Sequence, residues 1–481
     1  MKWLIEEIPF PIDLEQVFAE LYQEEPYAFW LDSSRLITGL SRYSMMGGQP
    51  QLILRSKHGQ TEWMDGGGVR KRMEESPFAM LRRALDSTRC HMGIEPPLPF
   101  VGGWVGYVGY ECNRYLEQVP VHQLDPTQAP DMIWMYVDQV LIYDHLEEKA
   151  YVSHLYEGDP ALAKRTVATW MGKLREAMRQ PPSPLSIPEA ASAEQEETFR
   201  MTVTPDSYRE RIGRIKEYIG QGDIYQACYT YQFETDYAED PFLLYRILRH
   251  INPAPFAAYL RLGEWTVVSS SPERFLRMDE HRVVESRPIK GTRPRAAEVG
   301  EDRRLMRELE THPKDRAENV MIVDLVRNDL GRVCDTGSVR VPKLLQVESY
   351  ATVHQLVSTV EGTLSAERSS LDVIEAAFPG GSMTGAPKIR AMEILHEMES
   401  VARGIYSGGL GYIDVRGSFD LSMVIRSIVC HQGKAFFHVG GGIVADSDPD
   451  REYQETLDKA RALQKALSLA KWKRTETQMT C

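Results

Sequence analysis

Residues 102–110 read Gly102-Gly103-Trp104-Val105-Gly106-Tyr107-Val108-Gly109-Tyr110, with glycines interleaved among aromatic and β-branched residues. Glycine weakens a strand and is kept where another backbone approaches closely or the sheet bends. The stretch is therefore read as a structural strand in a tightly packed sheet. Around it, residues 1–150 read as mixed α and β, with a helical period over 13–22 and strand-like runs at 51–55 and 132–143.

At 481 residues the chain is too long for one average core, and predicts two domains or one large one built from two layers. An amphipathic helix is expected over 161–178, with Leu162, Val167, Trp170, Met171, Leu174 and Met178 inward. The proline-rich and then acidic stretch at 181–198 lacks apolar periodicity and reads as a linker between an N-terminal region, 1–180, and a second region, 199–470, followed by a tail, 471–481. The second region opens with a helix over 205–220, capped by Thr204 with Pro205 in its first turn.

The net charge of −13, with no basic run beyond Lys471-Trp472-Lys473-Arg474, argues against a nucleic-acid partner. Any anionic ligand must be held by local arginines. The six cysteines show no CxxC spacing or His/Cys cluster, so neither zinc nor a disulfide framework is expected. Glu6 and Glu7 stand where a signal peptide would be apolar, and no run approaches the ~18 apolar residues of a membrane span. A cytoplasmic protein is expected.

In Arg287-Pro288-Ile289-Lys290-Gly291-Thr292, proline fixes the backbone on one side of a lysine and glycine permits close approach on the other. A lysine attacks only as the neutral amine, which crowding by Arg287, Arg293 and Arg295 would favour. Pattern alone leaves Lys290 equally a nucleophile or a partner for a carboxylate. Downstream, Asp315 and Glu318 share one face of a helix starting at Pro313, and Glu452 and Glu455 share one face of a helix starting at Pro449. Acids in a first turn are often only dipole partners. Two such pairs suggest a shared hard cation, for which magnesium is better suited than caged calcium.

The segment Pro379-Gly380-Gly381-Ser382-Met383-Thr384-Gly385-Ala386-Pro387-Lys388 has proline where a phosphate loop needs its lysine, so nucleotide binding is rejected. Its backbone N–H groups still suit a carboxylate. Gly440, Gly441 and Gly442 end a strand on bare backbone, and Arg426, read within a strand over 423–429, could clamp a carboxylate.

Five collinear motifs complete the picture: Ser271-Pro272-Glu273-Arg274-Phe275, the Pro288–Thr292 turn, residues 314–319 with 324–329, the segment 381–388, and Glu452-Tyr453-Gln454-Glu455-Thr456. In this combination the chain resembles the chorismate-utilising enzymes. The resemblance implies an α+β fold of two large antiparallel sheets stacked face to face, with helices outside. It implies that Glu318, Glu452 and Glu455 hold Mg²⁺ and that Thr384, Tyr406, Arg426, Lys388 and the Gly440–Gly442 backbone bind chorismate. Glu273 would be the general acid, His354 would stand beside the ring, and Lys290 would bond to the ring at C2 before ammonia enters at C4. Lysine at 290 resembles the aminodeoxychorismate synthase branch, whereas anthranilate synthase large subunits carry alanine there. That branch makes 4-amino-4-deoxychorismate for 4-aminobenzoate and folate, with ammonia from a glutamine amidotransferase subunit. An anthranilate synthase large subunit and a non-catalytic chorismate- or tryptophan-binding module are the alternatives. Gln232 departs from the arginine common in relatives. Relatives also hold tryptophan around a motif resembling Leu31-Asp32-Ser33-Ser34.

Overall fold

A computed structural model of the chain describes residues 1–65, 68–90, 98–122, 124–179, 185, 198–350 and 353–479, with side chains as far as Trp472. Its strands form two antiparallel sheets of twelve. The first runs in space Lys2–Glu7, Lys149–Tyr156, Gln139–Asp144, Tyr43–Gly48, Tyr27–Asp32, Phe256–Leu262, Trp265–Ser271, Ser427–His431, Lys434–Ile443, Gln226–Asp236 and Arg200–Met201, with Gly385–Ala386 also on Gln226–Asp236. The second runs Ile289–Pro294, Val353–Thr363, Val283–Ser286, Arg274–Met278, Phe419–Met423, Gly409–Asp414, Gly103–Val108, Met132–Val137, Leu52–Lys57, Gln60–Asp65 and Gly68–Glu74, with Arg340–Ser349 also on Val353–Thr363. Both sheets take strands from either side of residues 181–198, nearly all of which lie outside the described residues, as do 480 and 481.

Side-chain alternation assigns the faces. In the first sheet Phe29, Ala258 and Leu260 enter the core shared with the second sheet, while Ala28, Trp30, Ala257 and Tyr259 enter a core against helices. The expected stack of two sheets with helices outside is what the chain forms. The glycine-aromatic strand Gly103–Val108 is buried at every position, and a Cβ on Gly106 would stand 2.0 Å from the Ile133 carbonyl oxygen.

The helix expected over 161–178 is Pro160–Ala177, which buries Val167, Trp170 and Leu174 but leaves Leu162 exposed. Helix Pro205–Gln221 begins as read, with Thr204 accepting from Ser207 N–H and proline in the first turn. The run at 132–143 is two strands: Met132–Val137 lies in the second sheet and Gln139–Asp144 in the first. The change occurs at Asp138, whose carbonyl accepts from Leu155 N–H at 2.7 Å. Among the described residues no helix is long and apolar enough to cross a membrane.

Candidate active site

The chain passes between the sheets twice at one place. It leaves the first sheet after Ser271 and enters the second at Arg274, crossing through Pro272 and Glu273; it returns between Met423 and Ser427 through Arg426. The crossings are stitched together: Ser271 Oγ donates to the Met423 carbonyl at 2.6 Å, Met423 N–H to the Glu273 carbonyl at 3.0 Å, and Ser270 N–H to the Arg426 carbonyl at 3.1 Å. Arg426 thus lies outside any strand, with φ of +51°, correcting the reading of a strand over 423–429. The period of two continued through it because both flanking segments are strands, but of different sheets.

Beside the crossings opens a cavity of about 630 Å³. Ten of the thirteen expected site residues line it: Glu273, Lys290, Glu318, Tyr406, Arg426, Gly440, Gly441, Gly442, Glu452 and Glu455. Lys290 projects from strand Ile289–Pro294 at a register shift next to Gly291, whose φ is +83°. Its Nζ lies 3.7 Å from Glu318 Oε2. A Cβ on Gly442 would lie 3.3 Å from that Nζ, so bare backbone leaves the amine room.

The arginines expected to crowd Lys290 are each engaged by acids. Arg287 pairs with Glu348 at 2.5 Å, Arg293 with Glu308 and Asp315 at 3.1 Å each, and Arg295 with Asp302 at 2.8 Å. The charge nearest Lys290 is instead the Glu318 carboxylate. Arg426 differs: burial lowers its pKa, and its guanidinium makes no ion pair or hydrogen bond among the described residues. A half-buried, unpaired guanidinium facing a cavity is a strong attractor for a carboxylate.

Glu273 is 8% exposed, and burial pushes its carboxyl up to about 7 against the opposing pull of Lys290, Ser382 and the Ile289 N–H. At neutral pH it is poised to give or take a proton. Tyr406 stacks its ring on His438 at 5.2 Å.

The acidic pairs meet as the helical spacing implied, interleaved with lysines. Lys314 Nζ lies 2.8 Å from Glu452 Oε1 and 3.8 Å from Glu318 Oε1, and Lys459 Nζ lies 2.8 Å from Glu455 Oε1. Burial raises Glu318 despite Lys290 and Lys314; burial also pushes Glu455 upward, but Lys459, Lys314 and Lys290 together hold it below the usual range. Sequence reasoning missed both lysines, although Lys314 precedes Glu318 by four residues and Lys459 follows Glu455 by four, the spacing of helical ion pairs. Three carboxylates are hard oxygen donors suited to magnesium. Among the described residues no three donors stand close enough to form a ligand set, because ammonium groups lie between them. The residues fit magnesium by type, once those lysines move aside.

Three expected residues do not line the cavity. His354 is 1% exposed and turns to the far face of strand Val353–Thr363, where Nδ1 meets Ser349 Oγ at 2.7 Å and Nε2 meets Asp302 Oδ1 at 3.0 Å. Its neighbours Val353 and Gln355 face the cavity instead, as strand alternation requires. Thr384 donates its hydroxyl to the Gly380 carbonyl at 3.3 Å. Lys388 binds Asp329 Oδ2 at 2.8 Å and the Ala377 carbonyl at 3.2 Å, tying the glycine-rich turn to helix Pro313–Gly331. From that turn Ser382 and Met383 reach the cavity. A second cavity of about 360 Å³ includes Leu31, Asp32 and Ser33 in its wall.

A half-buried, unpaired arginine, bare glycine backbone, an acid titrating near neutrality and a lysine-glutamate cluster converge on one cavity with donors suited to a small carboxylated ligand. The chain belongs to the family of chorismate binding enzymes, whose model matches residues 18–465. It is 40% identical over 475 residues to an aminodeoxychorismate synthase of Streptomyces griseus, a match covering 98% of this chain and 65% of that protein, so the chain spans about two thirds of that relative's length. It is 37% identical to aminodeoxychorismate synthase component 1 of Klebsiella aerogenes, covering 95% of this chain and 97% of the relative. The crystal structure of anthranilate synthase component I from Streptococcus pneumoniae superposes with a TM-score of 0.75 at 28% identity, over 89% of this chain and 93% of that one.

Proposed function

We propose that the chain aminates chorismate at C4 to give 4-amino-4-deoxychorismate, the precursor of 4-aminobenzoate and so of folate. Ammonia would come from a glutamine amidotransferase subunit, and the reaction would run in the cytoplasm. The observation that carries this reading is that Lys290 presents its amine to the same cavity as Glu273, the acid pushed up to about 7. The name of the Klebsiella relative, a component 1, supports a partner subunit.

Arg426, the phenol of Tyr406 and the backbone at Gly440–Gly442 would hold the substrate's carboxylates. The neutral amine of Lys290 then bonds to C2 as the C4–O bond breaks, while Glu273 gives its proton to the departing oxygen, which leaves as water. Ammonia next bonds to C4 as the C2–N bond to Lys290 breaks; the lysine nitrogen, which has kept both its protons, leaves as the neutral amine, and the one proton lost by the new C4 ammonium returns to Glu273. Chorismate and ammonia are thereby converted to the amino product and water. Glu318, Glu452 and Glu455 would hold magnesium, which when bound offsets carboxylate charge on the ring.

Product analysis after incubation with chorismate, Mg²⁺ and an ammonium salt tests the assignment. 4-Amino-4-deoxychorismate is expected. Anthranilate as the main product would make the chain an anthranilate synthase subunit, and no turnover would favour a binding module.

A further inference from the structure

Strands Gln226–Asp236 and Lys434–Ile443 pair so that Gln232 stands directly opposite His438. Their neighbours Tyr231, Phe233, Phe437 and Val439 all enter the helix-side core, so Gln232 and His438 point the other way, between the sheets. They are 1% and 4% exposed. Yet Gln232 Nε2 and His438 Nε2 both lack a hydrogen-bond partner. Side chains opposite each other in such a pair have Cβ atoms roughly 5 Å apart, close enough for one small molecule to touch both.

The two atoms are complementary. The Ala402 backbone hydrogen-bonds the His438 ring, and burial together with Arg403 pushes the imidazole down to about 3, so the ring is neutral. A carbonyl partner fixes the N–H on the other nitrogen and leaves Nε2 a bare acceptor. Gln232 Nε2 is a donor. His438, stacked on Tyr406, stands on the wall of the 630 Å³ cavity, so the acceptor of the pair borders the space where the substrate would lie.

We propose that Gln232 and His438 hold the ammonia that enters the reaction, as neutral NH₃, beside the substrate cavity. Its lone pair accepts from Gln232 Nε2 and one of its N–H groups donates to His438 Nε2. Arg403, though paired with Glu399 at 2.6 Å, still acts on the His438 ring against positive charge, with Asp125 opposing it. This inference rests on the amination reading.

The test is steady-state kinetics with ammonium salts at fixed pH for wild type, His438→Phe, which keeps an aromatic ring against Tyr406, and Gln232→Leu. The KM for ammonia is expected to rise about tenfold in each, one hydrogen bond's worth, and by more than any fall in kcat. The KM for chorismate should stay within about twofold, and chorismate affinity measured calorimetrically should agree. Amination with an unchanged ammonia KM in both variants would show that the pair binds water only, overturning this inference alone. Parallel losses in both KM values and kcat would reduce the pair to a structural wall. If wild type forms no amination product, this inference falls together with the functional reading.

Discussion

The ammonium of Lys314 lies 2.8 Å from the Glu452 carboxylate and so joins the first turns of the two acidic helices. The position it fills is one a divalent cation would need. Lys314→Met should therefore tighten Mn²⁺ or Mg²⁺ binding by about tenfold, which manganese titration followed by electron paramagnetic resonance reads directly. Equal or weaker binding would mean that the lysine does not compete with metal.

Glu273 sets a pH dependence with a definite sign. Its folded value of about 7 lies above the ordinary carboxyl value of ~4.3, so the fold favours the protonated form. That stability is complete below about pH 4 and is lost as pH rises toward 7. Glu273→Gln lacks the term, so the variant should gain on wild type between pH 5 and 8 by up to roughly 3 kcal/mol in denaturant unfolding. A constant difference across that range would refute the assignment. The same change should lower turnover by about 10²–10⁴-fold, as removal of a general acid does.

Incubation with chorismate and magnesium, without ammonia, should add a covalent mass to wild type that Lys290→Ala lacks. Full activity in Lys290→Ala would restrict the lysine to pairing with Glu318.

The pair that Lys388 makes with the buried Asp329 predicts a stability effect rather than a binding one. Lys388→Met leaves the Asp329 carboxylate buried alone and should cost about 3 kcal/mol, with the KM for chorismate little changed. Combining it with Asp329→Leu should recover part of that loss, because the stranded charge is removed. A selective rise in chorismate KM would return Lys388 to the substrate site.

Gly106→Ala should destabilise the chain by about 1–3 kcal/mol or more, because the added methyl meets the rigid Ile133 backbone. Thermal melting reads this, and a neutral result would mean the two strands can part.

The legible features were those encoded locally. Helical spacing placed Glu318, Glu452 and Glu455 on one cavity, and the glycines of residues 102–110 announced close backbone contact. Less legible was anything decided by which sheet a strand joins. Period two is the same in either sheet, so it ran unbroken through Asp138 and through Arg426, where the chain changes sheet. His354 illustrates the related problem of facing: one residue's shift along a strand exchanges cavity for far side, and local pattern does not say which. The arginines around Lys290 were countable from sequence, whereas their neutralising partners come from distant positions such as Glu348.

The crossings at Pro272–Glu273 and Val424–Arg426 also bear on how the protein loses activity when heated. The Glu273 acid and the Arg426 guanidinium hang from connections shared by both sheets, not from a loop that can fray alone. Amide protons there should exchange with solvent only when the sheets themselves come apart, and thermal inactivation should coincide with global melting instead of preceding it.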